Sequence, residues 1–143
     1  LSEEPQCIEN EEARRRLGAI ADYFLFHNRP VAHRVDDSVV RVMDGLPRMM
    51  RRARGFAPAP ISLPKGFGPT PPILAFGGEL KNTFCLARDG QAIVSQHIGD
   101  LQDALVQSDY RQNLALYQSL YRHTPALLVC DRHPEYLSSK LAT

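Results

Sequence analysis

Seven consecutive residues, Gly77-Gly78-Glu79-Leu80-Lys81-Asn82-Thr83, bring together two glycines, a lysine, an amide and a hydroxyl. Glycine lets a backbone approach an anion closely, Lys81 can neutralise it, and Asn82 and Thr83 can donate hydrogen bonds, so the segment has the parts of a phosphate cradle. Its spacing is not that of a P-loop, which needs a glycine, four residues, Gly-Lys and Ser or Thr at the start of a helix. A polar hairpin turn with a solvated lysine is the plain alternative.

A second group is Arg51-Arg52-Ala53-Arg54-Gly55. On a strand Arg52 and Arg54 share a face and Arg51 points away, so two guanidinium groups could grip one phosphate; a basic, solvated strand end would look the same. Arg29, Arg34, Asp36, Asp37 and Ser38 precede it and read either as parts of the same pocket or as surface ion pairs. The third group, Asp131-Arg132-His133-Pro134-Glu135-Tyr136, follows an apolar stretch that reads as a strand. The carboxyl end of a strand is where α/β sheets bind ligands, which makes Asp131 and His133 candidates for polar chemistry, although Asp131 would also serve as a helix cap. His97 closes an earlier strand. No HExxH and no paired histidines at helical or finger spacing occur, so no metal site is expected here.

Cys7, Cys85 and Cys130 stand far apart and are odd in number, which reads as reduced structural thiols rather than a disulfide framework. Seventeen basic and sixteen acidic residues give a net charge of +1, so nothing draws the whole chain to nucleic acid or membrane. No apolar run is long enough to span a bilayer, and residues 1–10 are acidic rather than a signal peptide; a cytoplasmic protein is expected. The chain starts without Met and without an evident folding start, as an internal piece of a longer, two-domain enzyme would.

Several elements must hold these groups. Residues 11–26 have apolar positions at helical spacing (Ala13, Leu17, Ile20, Ala21, Phe24, Leu25), with Asn10 as the N-cap. Val39, Val40 and Val42, then Asp44-Gly45, then residues 46–53 predict a hairpin. Six of the eleven prolines lie at 58–72, which predicts an extended linker and a domain boundary. Strands at 73–76, 83–87 and 91–97 follow, turning at Gly77-Gly78 and Asp89-Gly90. A helix at 103–122 should present Leu105, Tyr110, Leu114, Tyr117, Leu120 and Tyr121 to the core, before a strand at 126–130 and a helix from Pro134. The fold class is α/β with mixed α+β character, in the order β-β-β-α-β-α from residue 73.

Taken in order, His27-Asn28-Arg29-Pro30, Asp36-Asp37-Ser38-Val39-Val40-Arg41, Arg51-Arg52-Ala53-Arg54-Gly55, residues 77–86, residues 95–101 and residues 131–137 resemble the HypF family, carbamoyltransferases of nickel-iron hydrogenase maturation. The resemblance covers nearly the whole chain. It implies the end of a YrdC-like domain at 1–57, a linker at 58–72, and the first β-β-β-α-β-α part of a TsaD-like domain of the actin/Hsp70 (ribonuclease H-like) fold at 73–143. It further implies that carbamoyl phosphate and ATP, with Mg, give carbamoyl adenylate, and that the carbamoyl group passes to the C-terminal cysteine of the partner HypE as the source of a cyanide ligand.

Carried over residue by residue, the resemblance implies a nucleotide-site role for Ser38, where Asp37 replaces the Ser of the family's Ser-Thr-Ile/Val-Val strand. It implies a strand-end arginine at Arg52 or Arg54, and a phosphate-binding turn at Gly77, Gly78, Lys81, Asn82 and Thr83. Zinc or iron sites, the acylphosphatase module and the metal-binding His motif are expected outside these residues, so this stretch alone should be inactive. Two other readings stand beside it. One is a nucleic-acid or nucleotide-binding module built on Arg48, Arg51, Arg52 and Arg54, which the balanced charge and the single nearby aromatic, Phe56, argue against. The other is a structural interdomain junction.

Overall fold

The computed structural model describes residues 5–67 and 69–143; the acidic start at 1–4 and Gly68 of the proline-rich stretch lie outside the described residues. The chain forms two compact units, residues 1–34 and 35–143.

In the first unit, α1 (Asn10–Leu17) is half the length expected. It stops where Gly18 follows; a Cβ there would meet the Arg14 carbonyl oxygen at 2.7 Å. The chain then runs extended, so Phe24 and Phe26, two residues apart, stack at 5.5 Å, and Arg14 lies over the Phe26 ring. Ile20 and Leu25, expected on a helical face, are exposed. Asn10 is not the N-cap: that position is Glu9, and the Asn10 amide instead donates to the His27 carbonyl at 2.8 Å. Glu12 accepts from Arg16 at 3.0 Å with Arg34 nearby; burial opposes its ionisation, but these cations and a backbone hydrogen bond hold its pKa below the usual value.

The second unit opens with a hairpin, β1 (Val39–Met43) and β2 (Leu46–Arg51). Asp44 and Gly45 both have positive φ, as a two-residue turn of matching twist requires. A five-stranded sheet follows, ordered β3-β6-β5-β4-β7. Its strands are β3 (Ile61–Ser62), β4 (Ile73–Phe76), β5 (Phe84–Arg88), β6 (Gln91–Val94) and β7 (Leu127–Val129). β4, β5 and β6 form the expected meander, and β7 returns parallel to β4 after the helix α2 (Ala104–Leu120). The β-β-β-α-β-α order is completed by α3 (Leu137–Leu141), which begins three residues later than Pro134 predicts. The prolines do not prevent pairing at the sheet edge: Ile61 pairs with Ala92, and Leu63 N–H donates to the Gly90 carbonyl at 2.8 Å.

Alternation decides the core. Leu74 and Phe76 of β4 face the same way as their partners Leu86 and Phe84 of β5, and all four are buried beneath α2 with Leu101. Of the stripe predicted for α2, Tyr110 and Tyr117 are buried and Leu114 and Tyr121 pack against the core, whereas Leu105 and Leu120 are exposed and Val106 and Asn113 are buried in addition. Phe84 meets Tyr110 and Tyr117 edge to face at 5.7 and 5.1 Å. Asn113 is on the buried stripe because it has a partner: Tyr117 Oη donates to Gln96 at 2.7 Å, and Gln96 Nε2 donates to Asn113 Oδ1 at 2.7 Å. Asp103 caps α2 by accepting from the N–H groups of Leu105 and Val106.

Candidate functional site

β4 and β7 are parallel neighbours, with Ala75 opposite Val129, so their carboxyl ends emerge at one edge of the sheet. The first runs into Gly77-Gly78 and the second into Cys130-Asp131. The Asp131 carboxylate consequently lies 3.5 Å from where a Cβ on Gly78 would stand. Two of the three groups legible in the sequence thus meet through strand order.

The 77–83 loop is tightly built. Gly77 N–H donates to the Thr83 carbonyl at 2.9 Å, and a Cβ on Gly77 would be 2.4 Å from that oxygen, so only glycine fits. Asn82 is buried and pairs through its backbone with the far side of the sheet, donating to the Gly99 carbonyl at 2.7 Å and accepting from Ile98 at 3.0 Å. Its side-chain amide donates to the Gly78 carbonyl, while its Oδ1 is buried without a partner among the described residues. Lys81 has φ 52°, and its N–H is taken by the Asp100 carboxylate at 2.6 Å. Among the described residues the N–H groups of Gly78, Glu79 and Leu80 have no acceptor. Consecutive N–H groups without a protein acceptor, beside an exposed lysine, are donors that an anion such as phosphate could use.

Asp131 does not cap α3. The Glu79 carboxylate accepts from Leu137 N–H at 2.8 Å, and the Asp131 carbonyl accepts from the Ser139 hydroxyl at 2.9 Å, leaving the exposed Asp131 carboxylate directed at the loop. His133 stacks on Tyr136 at 4.1 Å and accepts from Glu135 N–H. Lys140 pairs with Glu135 at 2.9 Å and holds its pKa below the usual value, though both are exposed and the pair adds little to stability.

The arginine group is arranged differently from the strand-face expectation, because β2 ends at Arg51. Arg51 pairs with Asp36 at 2.7 Å, both half-buried, and exposed Arg54 lies 3.6 Å from exposed Asp37. Arg52 turns its guanidinium onto the Phe56 and Ala59 carbonyls at 2.8 and 2.6 Å. Arg52 and Arg54 therefore do not act as a pair. The Ser38 hydroxyl donates to the Arg54 carbonyl at 2.9 Å and accepts from Ala53 N–H at 2.8 Å, holding the two ends of the hairpin together. His97 N–H donates to the Arg52 carbonyl at 2.8 Å, and its ring lies 3.9 Å from Asp36. Burial, followed by the Arg51 charge, lowers the His97 pKa, and Asp36 only partly opposes this.

Asp100 and Glu79 escaped the sequence reading as site-builders. Each acts on backbone distant in sequence, and no local spacing announces that. The three cysteines are free; burial raises the pKa of Cys85. Among the described residues no three His, Cys, Asp or Glu side chains gather to hold a metal, and no helix is long and apolar enough to cross a membrane.

Residues 68–143 match the family described as the HypF Kae1-like domain, and residues 1–53 match the Sua5/YciO/YrdC family, described as telomere recombination. The carbamoyltransferase HypF of Rhodobacter capsulatus is 45% identical over 140 residues, covering 98% of this chain and 19% of that protein. The Synechocystis carbamoyltransferase HypF is 47% identical, covering 99% of this chain and 18% of its own length. The chain thus spans about a fifth of the length of the curated relatives it matches. Among solved structures, full-length HypF in the phosphate- and nucleotide-bound form superposes with a TM-score of 0.88 at 45% identity, covering 99% of this chain and 22% of that one. The T. kodakarensis HypF superposes with a TM-score of 0.87 at 39% identity, covering 98% of this chain and 18% of that one. By these matches, and by the join of a YrdC-type region to a Kae1-like one that they trace, the chain belongs to the HypF family.

Proposed function

We propose that this chain is part of a carbamoyltransferase that uses carbamoyl phosphate and ATP to form carbamoyl adenylate. The carbamoyl group would then go to the C-terminal cysteine of HypE, in the cytoplasm, as the precursor of a cyanide ligand in hydrogenase maturation. The observation that carries the reading is the meeting of the Asp131 carboxylate with the Gly78 end of a loop that offers free N–H groups. In the transfer step the cysteine sulfur attacks the carbamoyl carbon, the bond from that carbon to the phosphate oxygen breaks, and AMP leaves with the electron pair.

Negative charge then grows on the phosphate, and preorganised donors aimed at such a group lower the barrier. Gly78 and the exposed Lys81 would supply them, with Gly77, Asn82 and Thr83 fixing the loop. A bare phosphate at Gly78 would be repelled by Asp131, whereas one accompanied by magnesium would not. The exposed Asp131 carboxylate is a hard oxygen ligand and fits that ion. His133, beyond Asp131, is assigned to substrate contact. Ser38, Arg52 and Arg54 are assigned to the nucleotide side of the YrdC-type region, with Ser38 and Arg52 shaping its backbone and the exposed Arg54, beside Asp37, reaching a ligand. The regions are proposed to meet in residues 58–72.

The test is carbamoyl-phosphate-dependent conversion of ATP to AMP, and carbamoylation of HypE, by the full-length enzyme that contains this chain. Lys81→Ala and Asp131→Asn should each depress transfer by about a hundredfold to a thousandfold, the range for loss of one charge-stabilising group. Unchanged transfer in both variants would remove the loop from the active site, and absence of any such turnover in wild type would end the carbamoyltransferase reading.

A further inference from the structure

The join between the two matched regions is fixed by hydrogen bonds as well as by covalent chain. Arg51, Arg52 and Asp36 lie in the region matched to the YrdC type, and His97 lies in the Kae1-like region. Across the join His97 N–H donates to the Arg52 carbonyl at 2.8 Å, and the Asp36 carboxylate that holds Arg51 at 2.7 Å also lies 3.9 Å from the His97 ring. All three side chains are half-buried. The proline-rich stretch is itself fastened down, through β3 on β6 and through Tyr121 Oη donating to the Pro58 carbonyl at 3.4 Å.

From His97 the connection continues directly into the cradle. Ile98 N–H donates to Asn82, Asn82 N–H donates to Gly99, the Asp100 carboxylate takes Lys81 N–H, and Leu101 N–H donates to Glu79. The 97–101 segment thus braces three residues of the 77–83 loop, two through its backbone and Lys81 through the Asp100 carboxylate. On its other flank the same backbone is held by buried Gln96, through Asn113 and Tyr117 of α2. A shift at His97 has little slack before it reaches Lys81.

We propose that Asp36 and His97 are positioning residues for the phosphate cradle, setting its geometry in the Kae1-like region from a contact made by the YrdC-type region. The proposal rests on the functional reading above and adds to it a dependence of the second step on a residue of the first region. A group that merely stabilised its own region would affect the first step instead.

The experiment uses the full-length enzyme with Asp36→Ala, His97→Ala and the double variant, and measures two rates. Pyrophosphate release from ATP with carbamoyl phosphate reports adenylate formation; carbamoylation of HypE reports transfer. We expect pyrophosphate release within about twofold of wild type and transfer reduced about fivefold to tenfold, with the double variant no worse than the poorer single, as for two residues in one network. Asp36→Glu should recover most of the transfer rate. Should His97→Ala unfold, His97→Gln replaces it. Equal loss of both rates, or additive loss in the double variant, would overturn the proposal. Wild-type enzyme that releases no pyrophosphate would instead overturn the functional reading on which it rests.

Discussion

The Glu79 carboxylate accepts the backbone N–H of Leu137 at 2.8 Å, joining residues 58 apart in sequence. It supplies the first N–H of α3 with an acceptor that no neighbouring residue provides, and in doing so fixes the stretch that carries Asp131 and His133 against the cradle. Glu79→Ala should cost about 1–2 kcal/mol, as loss of a capping acceptor does, and Glu79→Gln, which keeps a carbonyl oxygen, less than half of that. Urea denaturation of the three proteins measures both.

The two glycines of the cradle should differ in tolerance. A methyl group on Gly77 would be driven into the Thr83 carbonyl, whereas one on Gly78 would make ordinary contact with Asp131. Gly77→Ala is expected to destabilise by about 1–3 kcal/mol, in the range of overpacking at a site that cannot relax. Gly78→Ala should leave the melting temperature nearly unchanged and reveal itself only in nucleotide binding.

Lys81 occupies the left-handed region at φ 52°, where a Cβ is disfavoured and glycine is not. Lys81→Gly should therefore be as stable as wild type or gain up to about 1 kcal/mol, even though it removes the charge proposed to meet phosphate. Thermal unfolding and nucleotide affinity, measured on the same variant, should move in opposite directions.

Tyr117 and Tyr110 are both buried in the sheet face, but only Tyr117 has a hydrogen-bond partner among the described residues. Tyr117→Phe leaves buried Gln96 without its donor and should cost about 1–3 kcal/mol, whereas Tyr110→Phe removes a hydroxyl that satisfies nothing and should be neutral or mildly stabilising. Burial raises the pKa of both phenols, so neither should ionise in the folded protein at moderately alkaline pH. Ultraviolet titration checks this.

His97 has a pKa below the ordinary 6.5, from burial first and then from Arg51, with Lys81 adding to it and Asp36 and Asp100 opposing. At pH above 6.5 the ring is neutral in both folded and unfolded chains. As pH falls through 6.5 toward the lower folded value, the unfolded chain takes up a proton that the folded one refuses, so stability declines over that window. Melting temperatures between pH 7.5 and 5 should fall less steeply in His97→Gln than in wild type.

Much of the sheet was legible because its signals are local. Asp44-Gly45 and Asp89-Gly90 need positive φ at both positions, and residues that tolerate it mark the two turns unaided. The apolar runs at 73–76 and 83–87 marked two strands, and the pleat of the observed strands then puts Leu74, Phe76, Phe84 and Leu86 on one buried face. Helical spacing misled where it stood alone. Leu105 and Leu120 repeat as well as Val106 and Tyr117 do, and only the sheet's position selects which stripe of α2 is buried. In residues 18–26 the apolar period continued although the backbone did not, because Gly18 ends the helix and Phe24 stacks on Phe26 instead.

The sequence by itself determined the order β-β-β-α-β-α, the glycine turn with Lys81 and Asn82, and the family those residues resemble, since each depends on neighbours within a few positions. The tertiary structure alone decided that Asp131 faces Gly78, that Asp100 holds Lys81, that Glu79 caps α3, and that Arg52 serves the backbone while Arg51 joins Asp36. These contacts depend on which strands lie side by side and where β2 ends. Strand order is set by burial of a shared face across the whole sheet, a condition that no single stretch of sequence expresses.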